Sequence, residues 1–396
     1  MDLCDVYIVA ATRTAIGKAK GAFRHTRPDD LLAHVLRALM AQSPALLSEI
    51  EDVIIGCAMP EAEQGMNVAR IGALLAGFPD QIPGMTVNRF CASGLETISV
   101  AQDRIAAGKA ELIIAGGVES MSFVPLGGHH YAANPAYFAD NTRHRGMAYG
   151  MGLTAEKVAR QWGVSREAQD QFACQSHERA LEGIARGEFL AEITPITVKS
   201  DQLDLSSGEI KHDTAVITQD QGPRPESNLA TLATLRPVFA ARGTVTAGNS
   251  SQMSDGAAAL LLASAQAVKK YNLQPIARLR SYAVAGVAPE HMGIGPIVAI
   301  PKALQASALT MEDLDWIELN EAFAAQSLAV INTLKLDPQK VNPLGGAIAL
   351  GHPLGATGAI LATKLIYGLR RRKLKYGMVT MCIGTGMGAA GIFEAL

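Results

Sequence analysis

Short apolar runs alternate along the chain with segments whose apolar residues recur at helical spacing. VYIVAA, directly after Asp5, reads as a strand, and the next stretch predicts a helix over about 28–42. DVIIGCA (52–58) predicts a second strand and residues near 66–76 a second helix. GMTVNRF then runs extended into a helix near 91–107, and AELIIAGGVE (110–119) has the continuous apolar core of a strand buried on both faces. Strand and helix in alternation place the chain in the α/β class, with mostly parallel sheet and crossover helices.

The pattern changes between roughly 122 and 247, where polar helices and loop-rich stretches such as PLGGHHYAANP and DQGPRPESNLATL predict an insertion. Within it, one helix is predicted to start at a capping Ser165 and to stop at Gly187, with Cys174 and His177 as ordinary helix residues. After GNSSQMSDGAAALLLAS the first rhythm returns, and some of its words return with it. LDWIELNEAFAAQS parallels EDVIIGCAMPEAEQ, Val341-Asn342 parallels Val87-Asn88, and YGMVTMCIGTGMGAAGIFE parallels the 112–117 strand. Three pairings in one order point to an internal duplication.

Composition narrows the class further. The chain of 396 residues is 48% hydrophobic and 18% charged with 38 glycines, which suits a compact multi-domain α/β protein with tight turns. A net charge of −2 supplies no field for a polyanion, so nucleic acid is not expected as a partner. The run Arg370-Arg371-Arg372-Lys373 reads as a helix end, where cations suit the dipole. Five cysteines at irregular spacing, with no CxxC pair, predict free thiols in a reducing compartment rather than disulfides or zinc. No signal peptide or membrane span is evident, and the final Glu394-Ala395-Leu396 is not a peroxisomal address, so the cytoplasm is the expected location.

Four segments carry candidate chemistry. In VNRFCASGLETI an extended run meets a helix at Cys91, where unpaired N–H groups would lower a thiol pKa and hold an oxyanion. Taken alone, this cysteine reads as a packed structural thiol. NPLGGAIALGHPLGATGA holds His352 before Pro353, which is expected as the first residue of a helix, and a histidine so fixed can act as a base near neutral pH. The glycines there lack the Lys-Ser or Lys-Thr ending of a phosphate loop. MCIGTGMGAAGIFE puts Cys382 after an apolar strand, on an expected exposed turn near the sheet edge. Asn320-Glu321 follows WIEL, where the two can orient a water or serve only as a capping pair.

Together these segments resemble the thiolase family over nearly the whole chain and in the family's order. VYIVAATRTAIGK, GGVESMS, MGLTAE, LRPVF and GTVTAGNSSQMSDGAAA belong to the same resemblance. It implies the thiolase fold: two duplicated βαβαβαββ halves, packed face to face as a five-layer αβαβα core, plus an inserted loop domain over the active site. The implied division is 1–122 with 248–272 for the first half, 123–247 for the insertion and 273–396 for the second half. By similarity Cys91 is the nucleophile, His352 its activator and Cys382 the proton shuttle at substrate carbon 2. One implied oxyanion site is His352 with a water held by Asn320, and the other is the backbone N–H of Cys91 and Gly384. Coenzyme A is the implied co-substrate, beside acyl-CoA. It would lie near Arg224, Ala247, Ser251, Met292, Ala322 and Phe323, and no permanently bound cofactor or metal is required.

Gly150 departs from the histidine usual before this Met in short-chain biosynthetic thiolases, and favours a degradative or broad-range 3-ketoacyl-CoA thiolase over an acetoacetyl-CoA-forming one. Lys157 replaces a common asparagine and Thr357 a frequent serine, both read as outside the chemistry. Two rivals are a decarboxylating 3-ketoacyl synthase, which pairs its cysteine with two histidines, and a non-catalytic thiolase-like lipid binder, which commonly lacks a catalytic residue. The family also implies a homodimer or homotetramer, or association with a hydratase-dehydrogenase subunit.

Overall fold

The computed structural model describes residues 4–138, 142–203 and 206–396. Its main sheet divides into two similar parts. In the first, the order is Gly84–Val87, Asp52–Gly56, Leu112–Ser120, Ser254–Ser264, Val6–Arg13. In the second it is Trp316–Leu319, Tyr376–Ile383, Met387–Ala395, Ala277–Gly286. The two join at one bridge, Ile8 with Ala277.

Each part repeats the other's pairing. Asp52–Gly56 lies parallel to Leu112–Ser120, which meets Ser254–Ser264 antiparallel, and Trp316–Leu319, Tyr376–Ile383 and Met387–Ala395 do the same in turn. Val87 pairs parallel with Gly56, and Val341 bridges parallel to Ile317. All three repeated sequence pairs therefore occupy corresponding places, as a duplication requires.

Side-chain alternation builds the layers, because successive strand residues face opposite sides. Val53, Ile55, Leu112, Ile114 and Leu261 pack outward on the helix Pro28–Ala41. Ile54, Ile113, Leu260 and Leu262 face inward with Leu95, Ile98, Ala359 and Leu365, and beyond them lie Val379, Met381 and Phe393 of the second part. On that part's far side Ile317, Met378 and Ile392 pack with Ile300 and Val330. The central layer is thus the helices Ser93–Ala106 and Leu354–Arg372, and the sheets face each other through it. Leu354–Arg372 is buried over most of its circumference, so an apolar stripe gives way to small and apolar residues all round.

The inserted stretch is richer than the sequence reading, since it carries a hairpin, Ile196–Leu203 with Ile210–Ile217, beside its helices. Arg13 anchors it: this fully buried guanidinium donates to Asp220 Oδ1 at 2.8 Å and to Glu192 Oε1 at 2.9 Å. The helix Arg166–Ala185 has Ser165 as its cap, accepting from Ala168 N, and Gly187 beyond its end at φ 68°. The basic run closes Leu354–Arg372 as expected, with Arg371 and Arg372 paired to Glu188. No helix among the described residues is long and apolar enough to cross a membrane.

Candidate active site

The two central helices begin against each other. A Cβ on Gly94 would lie 2.7 Å from Ala359 N and 2.9 Å from Gly355 O, so only glycine permits this approach. Cys91 precedes Gly94 by three residues and His352 precedes Gly355 by three, so the contact sets these two residues at adjoining helix starts. Glu119 secures it from below, accepting from Gly355 N at 2.8 Å and from Ala58 N at 2.7 Å.

Cys91 sits in a single 3-10 turn, Phe90–Ala92, ahead of the helix. Phe90 holds φ 45°, a left-handed conformation costly for a bulky side chain. Its N–H donates to Asn88 Oδ1 at 2.8 Å and its carbonyl accepts from Ser93 Oγ at 2.6 Å, which pins the turn. The backbone N–H groups of Gly384 and of Cys91 itself favour the thiolate. The helix start does not win: burial pushes the Cys91 thiol up to about 11, and the two amides offset only part of that. The expected thiolate-rich cysteine is a protonated thiol, because desolvation of the anion outweighs the dipole.

Cys382 also departs from expectation. It lies within the strand Tyr376–Ile383, 1% exposed, rather than on an exposed turn. Burial, and then the nearby Cys91, push its thiol well up. It packs with Met292, Ala322, Phe323, Val245 and Ala155, and the partly buried Met151 joins them. Gly384 follows it, with Met151 Sδ 3.7 Å and Phe90 Cδ2 3.9 Å from where a Cβ would stand.

His352 follows Gly351, whose φ of 112° suits glycine. Pro353 is the N-cap of the next helix rather than its first residue, one position from expectation. His352 N donates to Ser254 Oγ at 3.1 Å, Nδ1 lies 2.6 Å from Thr357 Oγ1, and Nε2 lies 3.3 Å from Asn320 Nδ2. Burial lowers its pKa to about 4, so the ring is neutral at physiological pH. Thr357, read from sequence as outside the chemistry, is in direct contact with the imidazole. The signal was a hydroxyl four residues after Pro353, one helical turn along.

Asn320 stands at the end of Trp316–Leu319, and its Oδ1 is buried without a hydrogen-bond partner among the described residues. Asn342 fixes its neighbours, accepting from Leu319 N at 2.9 Å and donating to Leu319 O and Glu321 Oε1 at 2.8 Å. Sequence reasoning missed Asn342. Neither Asn320 nor Glu321 caps the following helix, since Phe323 holds that position with Gln326 Oε1 accepting its N–H. Glu321 instead accepts from Ser176 Oγ at 2.6 Å.

Of the residues expected along coenzyme A, Met292, Ala322 and Phe323 share the Cys382 cluster, and Ser251 N donates to Ala322 O at 3.0 Å. Ala247 is exposed on the same loop, which Glu156 holds by accepting from Thr244 N and Val245 N at 2.9 Å. Arg224 is exposed and apart from that cluster, its N–H donating to His177 Nδ1 at 3.2 Å. Lys157 pairs with Glu290 at 2.7 Å.

Two cysteines, a neutral imidazole and an amide thus converge where strands end and central helices begin. Residues 6–266 match the family description "Thiolase, N-terminal domain" and residues 273–395 match "Thiolase, C-terminal domain". The chain belongs to the thiolase family. It is 48% identical over 391 residues to a 3-ketoacyl-CoA thiolase of Bacillus subtilis, covering 98% of this chain and 99% of that one. A peroxisomal 3-ketoacyl-CoA thiolase B of Mus musculus is 44% identical, with 98% and 91% covered. Among solved structures, human mitochondrial 3-ketoacyl-CoA thiolase is similar at TM-score 0.89 and 37% identity, and the Bacillus anthracis acetyl-CoA acetyltransferase at 0.89 and 39%, both over 100% of each chain. This thiolase is accordingly an acyltransferase with the layered thiolase fold.

Proposed function

We propose that this thiolase cleaves 3-ketoacyl-CoA with coenzyme A, releasing acetyl-CoA and a shortened acyl-CoA through an acyl-cysteine on Cys91. The observation that carries the reading is the Gly94–Gly355 contact, which sets Cys91 and His352 at paired helix starts beside Cys382.

Because the thiol is protonated and the imidazole neutral, the resting site holds no ion pair. His352 takes the Cys91 proton as sulfur attacks the 3-keto carbon. The bond to carbon 2 then breaks, and Cys382 protonates the departing acetyl-CoA carbanion. The imidazolium returns its proton to the Cys382 thiolate; the freed His352 then deprotonates coenzyme A, whose sulfur takes the acyl chain, and the departing Cys91 thiolate recovers that proton. Each negative oxygen needs donors. The unpartnered Asn320 Oδ1 supports a water held beside His352, and the Cys91 and Gly384 amides support the second site. Thiolase chemistry requires no permanently bound cofactor, and coenzyme A is the co-substrate. The Ser251, Met292, Ala322 and Phe323 wall supports its pantetheine arm, with Arg224 and Ala247 farther out toward the nucleotide.

Gly150 sets the chain-length reading. A Cβ there meets nothing within 4 Å, so the absent side chain leaves open space next to Met151, which flanks Gly384. The division at 122, 247 and 272, with 123–247 over the site, fits Met151 and Ala155 in the Cys382 cluster. Five free cysteines fit a cytoplasmic location. The outer edge of Gly84–Val87, unpaired among the described residues, supports a homodimer or homotetramer, since native sheets cover such edges; association with a hydratase-dehydrogenase subunit is the other assembly, and solution mass decides between them.

A thiolysis panel over chain length tests the function. Wild type is expected to prefer chains longer than acetoacetyl-CoA, Cys91→Ala to lose turnover, and Gly150→His to shift preference toward acetoacetyl-CoA. Acetoacetyl-CoA cleaved far faster than all longer substrates by wild type would favour the biosynthetic reading instead.

A further inference from the structure

We propose that Thr357 is a positioning residue that holds the hydrogen of His352 on Nδ1, leaving Nε2 unprotonated toward Asn320. The proposal rests on the reading of His352 as the base, and adds what makes the correct nitrogen basic.

The assignment follows from counting protons. Three contacts form a chain: Asn320 Nδ2 to His352 Nε2 at 3.3 Å, His352 Nδ1 to Thr357 Oγ1 at 2.6 Å, and Thr357 Oγ1 to Pro353 O at 3.1 Å. Pro353 O can only accept, so the Thr357 hydroxyl spends its single hydrogen there. Its lone pairs then face Nδ1, which must donate. Nε2 is left to accept from the Asn320 amide, and every contact in the chain is satisfied in one direction.

The reverse direction fails twice. If the hydroxyl donated to Nδ1, the Pro353 contact would be lost and the ring hydrogen would sit on Nε2, against the Asn320 NH2. Turning that amide to present Oδ1 would only move its NH2 to where the unpartnered Oδ1 now stands, and the Pro353 contact would still be lost. Thr357 has no freedom to drift, since its Cα lies on the first turn of the buried helix Leu354–Arg372.

For the reaction this decides where the proton goes. As the bond from Cys91 sulfur to the 3-keto carbon forms and the carbonyl electron pair moves to oxygen, the thiol hydrogen transfers to Nε2. The ring becomes an imidazolium, with Nδ1–H still held by Thr357. The other tautomer offers no lone pair on that nitrogen.

Nitrogen-labelled histidine NMR of the intact enzyme, with His352→Gln to assign the ring signals, is paired with thiolysis kinetics. Wild type should carry its hydrogen on Nδ1. Thr357→Val should move the population toward Nε2–H and lower kcat by about 100-fold, the lower end of what a positioned base supplies, with KM little changed. Thr357→Ser should restore tautomer and rate together, which a purely packing role for the methyl group would not produce. Wild-type hydrogen on Nε2, or a Thr357→Val enzyme with unaltered tautomer and rate, overturns the proposal. If His352→Gln turns over like wild type, the base reading fails separately, and the wild-type spectrum still decides the tautomer.

Discussion

Cys91 and His352 stand at corresponding positions of the two duplicated halves, each three residues before a glycine at which the central helices touch. Their surroundings are built differently. Around Cys91 the backbone is fixed: Asn88 and Ser93 bond the amide and carbonyl of Phe90, while the sulfur makes no side-chain hydrogen bond among the described residues. Around His352 the ring is fixed, with Thr357 on one nitrogen and Asn320 on the other. A nucleophile must move onto its substrate and then carry it, whereas a base must present one nitrogen in one direction. Duplication supplied two equivalent helix starts, and local residues fix the backbone at one and the ring at the other, as the proposed carrier and base require.

Removing one side of this comparison should have the largest effect. His352→Gln keeps a hydrogen-bonding group but no basic nitrogen, and kcat for thiolysis is expected to fall about 1,000-fold. A loss confined to KM would assign His352 to binding instead.

Prying the helix starts apart should come next. Gly94→Val places a side chain against Ala359 N and Gly355 O, both backbone, so neither can swing away. The expected cost is about 3 kcal/mol in urea unfolding, with turnover impaired beyond that of the folded fraction. Wild-type stability would mean that the contact is not what registers the halves.

The smallest effect separates two histidines. Burial lowers both His352 and His177 to about 4, but His177, in the insertion, meets Arg224 N rather than an amide and a hydroxyl chain. Its folded value lies below the unfolded 6.5, so its contribution to stability is full above 6.5 and is lost as pH falls toward 4. His177→Gln should therefore gain on wild type by about 2 kcal/mol on acidification to about pH 5, with neutral-pH kcat unchanged. Parallel acid unfolding curves would contradict that, and a fall in kcat would give His177 a catalytic part.

Much of this was legible in the sequence, for particular reasons. Short apolar runs and helical spacing locate the strands and outer helices, and three paired segments recurring in one order disclose the duplication. Burial was less legible. Cys382 reads as a turn residue because glycines follow it, yet the strand continues through it, and residues of the insertion and of the second half pack around it. The helix start alone predicts a low Cys91 pKa, whereas desolvation depends on neighbours from distant segments. Thr357 and Asn342 were missed because their roles lie in contacts to residues whose positions the fold determines. The hairpin Ile196–Leu203 with Ile210–Ile217 lay within a stretch read as helix and loop.

Cys91, and not its buried neighbour Cys382, is the proposed carrier of the acyl group. Incubation with acetyl-CoA, acid quench and peptide mass spectrometry tests it directly. The expected result is one acetyl group on the peptide containing Cys91, discharged by added coenzyme A. An unmodified Cys91 in folded enzyme, or an acetyl group on Cys382 instead, would contradict it.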